Sequence, residues 1–177
     1  LRRCLAAEDM AAVEDVVAYS KAHGVEVSSE PFLLTLRKML ASADLKGMER
    51  VMAKMSALGL VDTEAQLLLV RALAERGDID GGMRVVEEVV GGTPFPLDVG
   101  PARLTIEKMF TTLIHACAKE GLKDRARGLL ERMEGLGVTA NEVSYTSLIN
   151  VYGKAGDVKG AFEMLAAMKA KGIQPNT

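Results

Sequence analysis

Phe110-Thr-Thr-Leu-Ile114 and Tyr145-Thr-Ser-Leu-Ile149 stand 35 residues apart, and the chain between and beyond them repeats in the same step. Ala118-Lys-Glu-Gly121 matches Gly153-Lys-Ala-Gly156, and Leu130-Glu-Arg-Met133 matches Leu165-Ala-Ala-Met168. Gly137-Val-Thr-Ala-Asn141 matches Gly172-Ile-Gln-Pro-Asn176. Glu107 to Asn141 and Glu142 to Asn176 are thus two copies of one unit. A period of this length marks a solenoid, whose repeats bury a shared core and present a continuous binding surface.

Two glycine rulers carry the repeat towards the N-terminus. The glycine between paired helices is Gly121 and Gly156, then Gly77, with Ala43 and Glu8 at the earlier steps. The glycine closing each hairpin is Gly24, Gly59, Gly137 and Gly172, a place where a helix C-terminus often takes a left-handed residue. The rulers give four hairpins, at about 29–62, 63–106, 107–141 and 142–176, after a partial one at 1–28. Within them the apolar spacing is helical: Ala161, Leu165 and Met168 recur at four and three, with Phe162 and Met164 widening the stripe, and the helix before presents Leu148, Ile149 and Tyr152. Most of the ten methionines, Met52, Met55, Met133 and Met168 among them, fall on such stripes as core filler.

Composition agrees with an all-α fold in a single array over 1–177. Hydrophobic residues make up 49% of the chain, enough for a core, whereas aromatics are 4% and Trp is absent, as suits closely packed helices. The net charge of -2 excludes a generally basic nucleic-acid binder. The one basic lean lies in 107–177, where 10 Lys and Arg face 8 Asp and Glu. Two cysteines, Cys4 and Cys117, are too few for a disulfide framework and read as buried thiols. No apolar run reaches the length of a membrane helix, and no signal or transit peptide is visible. The start on Leu1-Arg-Arg3 and the stop at Thr177, at the threshold of another repeat, read as an excerpt from a longer array.

The hairpin at 63–106 is longer than the others, and its surplus lies in 91–105, with three of the five prolines. Proline removes a donor and fixes the backbone, so this stretch reads as a loop. It is either a tolerated surface insertion or a docking loop for a protein partner, with Phe95 between two prolines as the anchor.

The repeat Val143-Ser-Tyr-Thr-Ser-Leu-Ile149 through Lys171-Gly-Ile-Gln-Pro-Asn176 resembles a pentatricopeptide repeat. The likeness is close there, good over 107–141, moderate over 1–62 and poor over 63–106; the Trp-Leu-Gly-Tyr pattern of tetratricopeptide repeats is missing. The resemblance implies an α-solenoid of stacked antiparallel helix-turn-helix repeats in a right-handed superhelix. It also implies a chloroplast or mitochondrial protein that binds single-stranded RNA, one base per repeat, without cofactor, small-molecule substrate or membrane. Two side chains per repeat read the base in that family, and here they are Thr111 with Asn141 and Thr146 with Asn176. Threonine with asparagine looks like an adenine reader, so 107–176 is expected to prefer two consecutive adenines. Val143 matches the clamp position, where the preceding repeat has Lys108. Lys119 and Lys154 match positions that approach the phosphate backbone. Threonine and asparagine at helix starts are also common caps, and surface lysines are often only solvated.

The earlier hairpins depart from this pattern. Leu33 and Leu67 stand where Thr146 does, Glu30 and Glu64 where Val143 does, and Ala41 and Glu75 where Lys154 does. No catalytic constellation stands out: His23 and His115 have no neighbours at metal-ligand spacing, and neither a deaminase signature, a phosphate loop nor a Gly-x-Ser-x-Gly turn is present. The expected function is therefore RNA binding in processing, stabilisation or expression. The alternatives are a protein-protein scaffold in a large organellar assembly and an accessory array for an enzyme domain outside these residues.

Overall fold

The structure, a computed structural model, describes residues 1–6, 10–92 and 101–175. They form ten helices and no strand: α1 (Arg2–Ala6), α2 (Met10–Ala22), α3 (Glu30–Ala41), α4 (Leu45–Leu58), α5 (Thr63–Glu75), α6 (Ile79–Gly91), α7 (Pro101–Glu120), α8 (Lys123–Gly135), α9 (Glu142–Lys154) and α10 (Val158–Ala170). The chain divides into two compact units, Leu1–Ala72 and Leu73–Thr177, with α5 running across the division.

Each hairpin follows from local chemistry. The seven ruler glycines all take positive φ, from 65° to 76°, the region where a β-carbon is strained. Ala43 holds the same place in its hairpin at φ 56°, the one non-glycine in that region among the described residues. The residue after the turn then caps the second helix. Asp44 accepts from Gly47 N, Asp78 from Gly81 N and Asp157 from Gly160 N, at 2.8 to 2.9 Å. Glycine three residues on leaves room for this close approach: a β-carbon on Gly47 would lie 2.1 Å from Asp44 Oδ2, and one on Gly81 2.4 Å from Asp78 Oδ2, so the capping side chain would have to shift. In the 107–141 hairpin, Leu122 and Arg125 stand at these positions and α8 has no side-chain cap.

In the first unit, α3 packs on α1 and α4, and Phe32, Leu36, Met48, Val51 and Met55 are fully buried with Ala65 of α5. In the second, α7 packs on α6, α8 and α9, and α9 on α8 and α10. Phe110, Leu113, Ile114, Met133, Leu148 and Met168 fill its interior. Cys117 is buried there, whereas Cys4 is only half-buried, against the expectation that both are inside. Burial pushes the Cys117 thiol above its ordinary pKa.

Two sequence expectations are corrected. The loop read over 91–105 is helical at both ends, since α6 runs to Gly91 and α7 begins at Pro101. Proline suits the first position of a helix, whose N–H has no intrahelical partner. Moreover, Ile106, at the repeat boundary where the next hairpin has Asn141, is fully buried and offers no cap, so the helix runs back through it. Arg103 on this added stretch donates to Thr139 Oγ1 at 3.3 Å. Phe95 lies outside the described residues. The second correction is Phe162, read as core and found 66% exposed, with Val158 one turn earlier also exposed.

Candidate functional site

α7 and α9 are first helices of successive hairpins and pack side by side, so equivalent residues of the two lie on one face. On α9 that face carries Val143, Thr146, Asn150 and Lys154, all exposed; on α7 it carries Lys108, Thr111, His115 and Lys119, with Thr111 half-buried. Spacings of three and four make each set a single stripe. Val143 is 58% exposed one turn before Thr146, an apolar surface beside a hydroxyl.

Thr111 and Asn141 meet at Glu107. The Thr111 hydroxyl lies 3.0 Å from the carbonyl oxygens of both Glu107 and Lys108, so its proton is committed to the backbone and its oxygen is left to accept. Asn141 is the N-cap of α9: its Oδ1 accepts from Ser144 N at 3.0 Å and Ser144 Oγ at 3.2 Å. Its Nδ2 donates to Glu107 Oε1 at 2.5 Å. Among the described residues the pair therefore leaves an acceptor on Thr111 and one N–H on Asn141 without a partner. Asn141 is thus a cap as well as a candidate reader, since capping uses the oxygen and leaves a donor. Thr146 is exposed, and its expected partner Asn176 lies outside the described residues.

Glu107 was not singled out by the sequence reading. Its signal was there: Glu and Asn open and close the repeat twice, as Glu107 with Asn141 and Glu142 with Asn176. The first unit contains the same link with its polarity reversed. Asp62, closing the 29–62 hairpin, caps α5 by accepting from Ala65 N at 2.8 Å and accepts from the Ser29 hydroxyl at 2.8 Å. Elsewhere that unit's equivalent face offers other groups, with Leu67 half-buried in the place of Thr146. Leu33, in the place of Thr146, is buried. Glu30 and Glu64, in the place of Val143, are both held by Arg37, at 3.7 Å from Glu30 and in a direct ion pair with Glu64.

Among the described residues, the ion pairs of the second unit lie on or beside its second helices. On the second helices, Lys123 pairs with Asp157 at 2.5 Å, and Arg125 pairs with Asp80. Lys171, just past the end of α10, pairs with Glu134. Hydrogen bonds from Arg125 and Lys123 hold the Asp80 and Asp157 carboxyls below the usual carboxylate range. On the first helices, Lys108, Lys119 and Lys154 are exposed and have no ion pair among the described residues. Lys108, Lys119 and Lys154 share the face of Thr111 and Thr146, while Arg84, Arg132 and Lys169 are exposed on second helices, also without an ion pair among the described residues. Among the described residues there is no cluster of three metal-ligating side chains, and no helix is long and apolar enough to cross a membrane.

The PPR repeat family matches residues 108–153 and 140–177. The chain is 29% identical over 119 residues to the chloroplastic pentatricopeptide repeat-containing protein 10 of Zea mays, covering 67% of this chain and 14% of that one. It is 33% identical over 69 residues to a chloroplastic pentatricopeptide repeat-containing protein of Arabidopsis thaliana, covering 38% and 10%. Among solved structures, nuclear proteinaceous RNase P 2 of A. thaliana superposes with a TM-score of 0.62 at 18% identity, over 94% of this chain and 36% of that one. The maize pentatricopeptide repeat protein PPR10 in complex with an 18-nt psaJ RNA element gives 0.52 at 21% identity, over 92% and 23%. The chain spans 14% and 10% of the length of the two curated relatives.

Proposed function

The chain belongs to the pentatricopeptide-repeat family, and on that premise we propose that it binds single-stranded RNA along the first-helix face of 107–176, reading one base per repeat. The observation that carries the reading is the hydrogen bonding that leaves Thr111 an acceptor and Asn141 one N–H. Adenine presents N6–H as donor beside N1 as acceptor, complementary to that pair. Guanine and uracil present the opposite order. Cytosine has adenine's order on a smaller ring and is the near competitor. Base edges of unstacked RNA are read in this way by helical repeats. Val143 packs against a base, and Lys119 and Lys154 hold phosphates without sensing sequence.

In this reading the protein acts by occupying a single-stranded segment, which blocks nucleases, prevents pairing or presents the RNA to a partner. The relatives named chloroplastic support an organellar location, chloroplast or mitochondrion. The test is fluorescence anisotropy with oligonucleotides centred on two adenines, two uridines or two guanines, at low and near-physiological salt. The adenine oligonucleotide is expected to bind about thirtyfold more tightly, and Thr111→Ala with Thr146→Ala to remove the difference, as for two hydrogen bonds of about 1 kcal/mol each. Equal binding of all three, lost at physiological salt, would sink the reading in favour of a protein-protein scaffold.

A further inference from the structure

Resting on that reading, we infer that Glu107 is a specificity-determining positioning residue: its carboxylate fixes which way the Asn141 amide faces and so which group Asn141 offers a base. Asn141 has four hydrogen-bonding positions, two lone pairs on Oδ1 and two N–H groups on Nδ2. Ser144 N and Ser144 Oγ occupy the oxygen, and Glu107 Oε1 occupies one N–H, leaving one donor. Reversing the amide would set Oδ1 against the Glu107 carboxylate and Nδ2 against the Ser144 N–H, two repulsive contacts in place of two bonds. Either bond fixes the flip, but only the one from Glu107 holds the nitrogen in place.

The first unit supports this independently. There the closing residue is the carboxylate Asp62, and the opening residue is the donor Ser29. An acceptor at the first position faces a donor at the last in one hairpin, and a donor faces an acceptor in the other. The backbone cap is the same in both, Ala65 N to Asp62 Oδ1 and Ser144 N to Asn141 Oδ1. The opening residue therefore matches the hydrogen-bonding sense of the closing one, as expected of a device that orients it. In the 63–106 hairpin the closing residue is the buried Ile106, and there is nothing to orient.

Two measurements test this, one without RNA. In the free protein, nitrogen-resolved NMR of the Asn141 carboxamide is expected to show one proton shifted downfield and protected, lost in Glu107→Ala and retained in Glu107→Gln, whose amide oxygen still accepts. With RNA, single-base substitutions are made at each of the two adjacent adenines. Glu107→Ala is expected to cut the adenine preference several-fold at the position facing 107–141 and to leave its neighbour unchanged. Glu107→Gln is expected to restore it. Equal weakening at both positions, or an unchanged preference in Glu107→Ala, overturns the inference alone. Absence of any base preference in the unmodified protein overturns it together with the RNA reading.

Discussion

At the scale of single residues, the hairpin turns set two competing costs that substitutions can separate. Ala43 sits at φ 56° where the other described hairpins have glycine. A β-carbon there costs about 1 kcal/mol, so Ala43→Gly is expected to stabilise the protein by roughly that amount in urea unfolding, although glycine is the more flexible residue. Gly47 poses the reverse case. Alanine is favoured over glycine in a helix by up to about 1 kcal/mol, yet its β-carbon would lie 2.1 Å from Asp44 Oδ2 and displace the cap, itself worth about 1 kcal/mol. Gly47→Ala is expected to be near neutral in the native sequence and stabilising in an Asp44→Ala background. Equal effects in both backgrounds would mean the cap and the glycine are independent.

At the scale of helices, the same logic singles out α8, which begins at Leu122 without a cap and carries Arg125 in place of the glycine. Leu122→Asp and Arg125→Gly are each expected to gain nothing alone, because the aspartate needs the glycine and Arg125→Gly loses the pair with Asp80. Together they are expected to show a favourable coupling of about 1 kcal/mol in a double-mutant cycle. The second helices also set the response to pH. The Asp80 and Asp157 carboxyls titrate lower in the fold than when unfolded. Their stabilisation is complete above the ordinary value of about 4 and is lost as pH falls through the folded values. Lys123, raised by its hydrogen bond to Asp157, contributes below about pH 10.4 and loses that contribution as pH rises through its folded value. A thermal midpoint falling below pH 4, less steeply in Asp157→Asn, which keeps the cap but not the charge, is the expected result. What the sequence made legible here follows from the same chemistry. The turns were readable because a left-handed backbone demands glycine, and even Ala43 was found by spacing. The start of α7 was not, because Pro101 permits both a loop and a first helical turn, and because a missing cap at Ile106 leaves no mark in an apolar pattern. Phe162 was misread because helical period says which residues share a stripe, not which stripe is covered. One repeat earlier its face holds Lys123 and Arg127, and there Lys123 meets Asp157 and lies 6.0 Å from the centre of the Tyr152 ring. Thr111 and Asn141 were legible by their recurrence, whereas Glu107 was not, because an exposed-looking carboxylate at a helix start reads as a favourable charge on the dipole before it reads as a partner.

At the scale of the whole molecule, a net charge of -2 leaves little long-range attraction for RNA, so the affinity proposed above rests on individual cations such as Lys119 and Lys154. Each phosphate neutralised on a single strand adds about -0.7 to the slope of log affinity against log salt. If Lys119 and Lys154 each hold one phosphate, removing either charge is expected to flatten that slope by about 0.7, with the adenine preference unchanged, since phosphate contacts carry no sequence information. Lys123 supplies the contrast. It is already paired with Asp157 and stands on a second helix, so Lys123→Gln is expected to lower the thermal midpoint and leave the slope as it was. Lys119→Gln and Lys154→Gln are expected to do the opposite, because neither has an ion pair to lose among the described residues. The same change in net charge thus has two separable effects. A slope that responded equally to all three substitutions would place the RNA on no particular face and leave only the protein's overall field to attract it.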